Sequence, residues 1–319
     1  MDTRQFGRLG PVSALSLGGG GIGQVWGATT REEAVTTVRD AVAAGVTLLD
    51  LAPGYGDGEA ERVVGEAFAG QLPASVRIST KCRLGAPAAA DVRALLAASL
   101  DASCERLRTE HIDLFLLHNQ LVPDDALGIT GTPLALFREV VRPELERLLA
   151  DGRIAAWGLT AIGVPDTLLA AFDDDPPPFA AQCVTNLLDS PGSMQRFEGP
   201  ARPRELIAAA ARRGIGVMGI RAVQAGALTD GFDRALPADH PDTRDYRHAE
   251  PFRQLARELG ESTAALAHRY ALTMPGVSTI VLGVKNRAEL RECIEAAERG
   301  PLDAATVARI DAAARAGGV

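Results

Sequence analysis

The chain has 319 residues, of which 46% are apolar and 23% charged, and its formal net charge is −8. This is ordinary globular composition with material for a large core, and the acidic balance argues against a nucleic-acid partner, whose phosphates call for a basic face. MDTRQFGRLG lacks the apolar stretch of a leader, and no apolar run reaches the roughly 18 residues of a membrane span. Cys82, Cys104, Cys183 and Cys293 stand far apart, without metal-ligand spacing. The expectation is a cytoplasmic protein with reduced thiols, no metal and no membrane partner.

Short β-branched runs alternate with longer Ala/Leu/Arg/Glu segments along the whole chain. Residues 12–17 read as a strand. A helix over 30–45 follows, capped by Thr30 with Glu33 at the capping-box position and closed by Gly45. Strand 46–50, helix 59–68, strand 76–81, helix 90–107 and strand 111–118 continue the rhythm. Residues 133–152 are helical in pattern, with Pro143 expected to kink them. Strand 153–160, helix 164–172, strand 181–187, helix 203–214 and strand 215–220 come next. Helices 251–260 and 261–272, strand 278–283, and helices 287–300 and 304–316 complete the chain. DDDPPP (173–178) reads as a rigid surface loop, and the polar segment 224–250 as a candidate lid.

The strands are short and nearly all apolar, as parallel strands covered on both faces are. Repeated βα units suit either a doubly wound sheet or a barrel. One strand near residue 15 and seven more favour an eight-stranded (β/α)8 TIM barrel, spanning residues 1–319 as a single domain. The run GGGGIG (18–23) matches GxGxxG literally. That spacing signals a dinucleotide fold only when a helix opens directly behind it, and QVWGAT intervenes here. No Tyr has a Lys four residues later, which removes another dehydrogenase signature.

More informative is what stands at the C-terminal strand ends, where barrel active sites lie. Asp50 ends VTLLD, Lys81 ends RISTK and His118 ends IDLFLLH, with Tyr55 five residues beyond Asp50. Singly, each has a plainer explanation: an N-cap, a solvent-reaching lysine, a hydrogen-bonded core histidine. Together they converge over one mouth and make chemical sense. An ammonium at Lys81 favours phenolate and lowers the pKa of Tyr55, while Asp50 balances its charge. His118 can polarise a carbonyl while Tyr55 protonates the oxygen.

At these residues the chain resembles the aldo-keto reductase family. The likeness runs through RLGPVSALSLGGG, GVTLLDLAPGYGDGEAERVVGEAF, STK, IDLFLLH, GRIAAWGLT, AQCVTNLLD, GVMGIRAVQAGAL and VLGVKNRAELRE. It implies a catalytic tetrad of Asp50, Tyr55, Lys81 and His118. It also implies NADP(H), with NAD(H) as the alternative, lying extended across the barrel mouth. Expected cofactor contacts are Gly19, Gly20, Asp50, Thr160, Gln182, Ile220, Arg221, Gly226, Leu228, Gly283, Lys285, Arg287 and Glu289. Several depart from the family pattern. Thr160-Ala161 replaces a Ser-Asn pair, Ile220 stands where an aromatic ring often stacks, and Cys293 replaces an adenine-side Asn. Lys285 and Arg287 stand where relatives grip a 2′-phosphate, and Asn286 can cap the helix there. The expectation is weaker or less selective cofactor binding than usual; a sub-micromolar NADPH dissociation constant would contradict it.

Substrate contacts are expected from Gln24, Trp26, Tyr55, His118 and Asn119, with walls from 119–131 and the C-terminal tail. The tail ends at AGGV, so a long C-terminal substrate loop is not expected. An open pocket tolerant of aldehydes or sugar-like carbonyls follows, in either redox direction. Two alternatives stay open: a lyase in which Lys81 forms a Schiff base, and a non-catalytic, cofactor-binding regulatory member.

Overall fold

The computed structural model describes residues 1–126, 130–232 and 234–318. Eight parallel strands close into a barrel. In chain order they are β1 (Leu15–Gly18), β2 (Leu48–Asp50), β3 (Arg77–Cys82), β4 (Leu114–Leu117), β5 (Trp157–Thr160), β6 (Ala180–Val184), β7 (Gly216–Ile220) and β8 (Thr279–Leu282). Each pairs with the next, and β8 returns to β1 with Ile280 opposite Leu15. Around them run α1 (Arg31–Ala43), α2 (Glu59–Phe68), α3 (Val92–Leu107), α4 (Arg142–Ala150), α5 (Pro165–Phe172) and α6 (Pro203–Arg212). The ring continues with α7 (Pro241–His248), α8 (Glu250–Leu259), α9 (Thr263–Thr273), α10 (Arg287–Glu298) and α11 (Ala304–Ala316). This is the (β/α)8 TIM barrel expected from the alternation. No helix among the described residues is long and apolar enough to cross a membrane.

The boundaries differ where tertiary structure overrides pattern. The run 12–17 splits: Pro11–Ser13 pairs antiparallel with Thr3–Gln5, and the barrel strand starts at Leu15. This hairpin plugs the floor of the barrel. Phe6 is buried against Leu48, Leu114, Leu116, Ala156, Ala180 and Met218. A Cβ at Gly216 would lie 2.3 Å from the Phe6 ring, so that strand needs a glycine where the plug enters. The expected kink at Pro143 is a widened turn: a π-helical segment, Phe137–Val141, leads straight into α4, with Pro143 at its second position. Thr30 caps α1 by accepting from Glu33 N–H at 3.1 Å, but the Glu33 carboxylate turns to Arg287 instead of closing a capping box.

The polar segment 224–250, whose residue 233 lies outside the described residues, is anchored rather than plain loop. It contains a 3-10 turn, Gln224–Gly226, and α7. Asp242, 1% exposed, accepts from Arg221 at 3.0 Å, from Arg234 at 3.1 Å and from Ser193 N–H at 3.0 Å. Arg221 also donates to Gln224 Oε1 at 2.7 Å, and Asn186 donates to the same oxygen. Asp242→Ala should therefore take from buried Arg221 its directly bonded carboxylate, leaving Gln224 and the charge of Asp245, and cost about 3 kcal/mol. Urea unfolding measures this; a loss under about 1 kcal/mol would contradict the anchoring.

Candidate active site

Strand periodicity brings the polar set together. Leu48, Leu114, Leu116, Ala156, Ala180 and Met218 pack inside the barrel floor. Two-residue alternation then puts Asp50, His118, Thr160, Gln182 and Ile220 on the same inward side, nearer the C-terminal mouth. Tyr55 arrives from the loop between β2 and α2. A Cβ at Gly19 would lie 3.0 Å from the Tyr55 ring and 2.9 Å from Ala60, so glycine at 19 lets that ring seat against the end of β1.

Lys81 organises the centre. Its side chain is fully buried, and Nζ donates to Asp50 Oδ2 at 3.0 Å, to Leu51 O at 2.6 Å and to Tyr55 Oη at 3.3 Å. Gln182 Nε2 donates to the same Asp50 oxygen at 2.8 Å, and Thr160 Oγ1 to Gln182 Oε1 at 3.4 Å. The His118 ring meets Tyr55 edge-on, centroids 6.0 Å apart. Asp50, Tyr55, Lys81 and His118 thus form one cluster. Asp50 Oδ1 is buried without a partner, an acceptor open to a hydroxyl such as a ribose carries.

Burial opposes the Lys81 charge, but Asp50 and Tyr55 outweigh it and hold the ammonium above its ordinary range. For Tyr55 the balance runs opposite to the sequence expectation. Burial raises its pKa, Lys81 pulls it down and Asp50 pushes it up again, and the net shift is upward. Lys81 does act in the expected direction, and burial outweighs it. His118 is lowered to about 3 by burial, then by the positive charges of Lys81 and Arg83. Arg83, exposed just past β3, acts on both Tyr55 and His118 and went unnoticed in the sequence, where it resembles any solvated arginine. Asn119 accepts from Leu84 N–H and, at 3.0 Å, from Gly85 N–H, so its amide oxygen shapes the turn that carries Arg83.

The other expected residues are spread around the mouth. Gln24 and Trp26 are exposed on the loop after β1. The Trp26 indole lies where a Cβ on Gly20 would be, 2.3 Å from Nε1, and 3.3 Å from the corresponding point on Gly283. The GGGGIG run winds into one helical turn, Gly19–Ile22, and no longer helix starts before Arg31. Ile220 is half-buried at the end of β7. Arg221 is committed to the Asp242 network, Leu228 is fully buried in the core, and the Gly226 N–H goes to Val223 O at 2.9 Å. Cys293 packs 4.0 Å from the His268 ring, and burial pushes its thiol up to about 12. Lys285 pairs with Glu289 at 2.8 Å, and Arg287 with Glu33 at 3.0 Å. Of the expected substrate walls, residues 127–129 and Val319 lie outside the described residues.

Among curated proteins, the chain is 24% identical to an L-galactose dehydrogenase of Arabidopsis thaliana, covering 98% of this chain and 94% of that one. Among solved structures it superposes on a glycerol dehydrogenase from Gluconobacter oxydans with TM-score 0.72 at 23% identity, covering 98% and 94% of the two chains. It also superposes on an aldo/keto reductase from Klebsiella pneumoniae, determined with NADP and acetate, with TM-score 0.69 at 23% identity, covering 97% and 94%. Residues 14–315 match the aldo/keto reductase family, and the chain belongs to that family.

Proposed function

We propose that the protein is an oxidoreductase that moves hydride between a nicotinamide cofactor and a small aldehyde, ketone or sugar-like carbonyl, or the corresponding alcohol. The observation that carries this reading is the Tyr55 hydroxyl accepting from a buried ammonium that Asp50 neutralises. Asp50 Oδ1, Gln182 and Thr160 would hold the nicotinamide end of the cofactor, which supplies or accepts the hydride. Every remaining step belongs to the chain.

Because Lys81 donates to Oη, the phenolic proton of Tyr55 is free to point away, toward a substrate oxygen. Burial keeps Tyr55 protonated at neutral pH, as a proton donor must be. As negative charge develops on that oxygen, Tyr55 gives up its proton and the phenolate is stabilised by Lys81. His118, neutral, donates a ring N–H to the same oxygen and polarises the carbonyl without competing for the proton. In the oxidative direction Tyr55 must first be a phenolate, which its raised pKa disfavours.

A pH experiment follows from these directions. Reductive kcat/KM should stay flat from about pH 6 to 8, because neither His118 nor Tyr55 titrates there. Oxidative kcat/KM should climb with pH, by up to about tenfold per unit, as phenolate becomes available. A reductive break near pH 6.5 would show that His118 works as an acid and would overturn this assignment.

The Schiff-base reading is disfavoured by Lys81 itself. Its ammonium is held charged and its three donors are already placed on acceptors, whereas a nucleophilic amine must be neutral. The intact cluster likewise disfavours a purely regulatory member. The pocket is expected to accept a range of small aldehydes; strict selectivity for one bulky ketone would contradict it.

A further inference from the structure

The turn from β8 into α10 is where an anion would be expected at the mouth. A 12-residue helix starts there, with Arg287 as its first residue and Lys285 just ahead of its N-cap. It is also where the resemblance places the 2′-phosphate of NADP(H). The structure fills that place with the chain's own carboxylates. Glu289 Oε2 accepts from the Lys285 N–H at 3.0 Å, and its Oε1 pairs with Lys285 Nζ at 2.8 Å. Glu33, reaching across from α1, accepts from the Arg287 N–H at 2.9 Å and takes the Arg287 guanidinium on both oxygens, at 3.1 and 3.0 Å. Both cations and both backbone donors of an apparent phosphate grip are therefore already used. Glu32 and Asp40 add further negative charge toward Arg287. The loop from Gly23 to Thr30 lies over this turn, since a Cβ on Gly27 would stand 3.4 Å from the Lys285 side chain.

We infer that Glu33 and Glu289 act as built-in substitutes for a 2′-phosphate, so that the chain selects NAD(H), with its free ribose hydroxyls, over NADP(H). A phosphate dianion at this turn must displace or sit beside two carboxylates, and like charges at such distances repel. A ribose 2′-hydroxyl faces no such repulsion and can donate to a carboxylate. This runs against the cofactor preference read from Lys285 and Arg287 in the sequence, where Glu33, 254 residues from Arg287, is invisible as a partner. It rests on the oxidoreductase reading above.

The test is binding, measured by calorimetry with the intact protein and with Glu33→Gln, Glu289→Gln and the double variant. The wild type should bind NADH at least about tenfold tighter than NADPH, a ratio equivalent to about 1.4 kcal/mol. Each Gln variant should tighten NADPH by roughly fivefold or more, because it frees a cation and removes a repelling charge. NADH should hold its affinity or lose some, never gain it, as the ribose hydroxyl exchanges a carboxylate for an amide, and circular dichroism and thermal melting matching wild type show that each variant is folded. NADPH binding as tight as NADH, or Gln variants that leave NADPH affinity unchanged, would overturn the inference. Binding of neither dinucleotide would instead overturn the oxidoreductase reading beneath it.

Discussion

Tyr55→Phe is expected to lower kcat for carbonyl reduction by about 10³-fold while leaving dinucleotide affinity within a factor of about three. The substitution deletes one oxygen and keeps the ring, so the edge contact with His118 and the seat against Gly19 survive. What disappears is the only group in the cluster whose proton is both available and matched to an alkoxide. Lys81 is a poor substitute, since its ammonium stays bonded to Asp50 and Leu51 O and is held above its ordinary pKa range, and His118 is neutral and weakly basic. Steady-state kinetics with a reactive aldehyde, paired with a cofactor titration, separates the two effects. Activity within tenfold of wild type would mean that another group donates the proton.

Lys81→Met should damage both activity and stability. Methionine fills similar space but leaves Asp50, 2% exposed, as a buried carboxylate held only by Gln182. Breaking a buried ion pair from one side costs about 3–5 kcal/mol, which in a chain of this size lowers Tm by roughly 5–7 °C. Activity should fall by about 10³-fold, because the phenolate formed at Tyr55 loses its counter-charge. The double variant Asp50→Asn/Lys81→Met removes the stranded charge and should regain most of the stability with none of the activity. Thermal unfolding of the three proteins checks this. If the single variant melts within about 2 °C of wild type, Lys81 and Asp50 are not the coupled pair described here.

Most of the barrel was legible because parallel strands covered on both sides must be short and apolar, and the helices between them must be amphipathic. That pattern is local. The floor plug was not legible: Thr3–Gln5 and Pro11–Ser13 pair across a turn, and only the tertiary contact of Phe6 with Gly216 shows why the first strand splits. The four-residue cluster was visible because each member stands at or just past the end of a strand. The direction of the Tyr55 shift was not, since it depends on how far burial outweighs Lys81, a quantity no residue spacing carries. Arg83 and the pairing of Glu33 with Arg287 escaped for the same reason: their meaning lies in neighbours that only folding supplies.

The most direct test of the central claim is to follow the transferred atom. Reduction of a small aldehyde with NADH deuterated at the nicotinamide C4 should place deuterium on the carbinol carbon of the product, as read by mass spectrometry and proton NMR. The same reaction in deuterated water with unlabelled cofactor should leave that carbon free of label, because Tyr55 delivers its proton to oxygen only. Product lacking deuterium from the cofactor, or borohydride trapping of the aldehyde on Lys81, would contradict hydride transfer and point to carbonyl chemistry at the lysine.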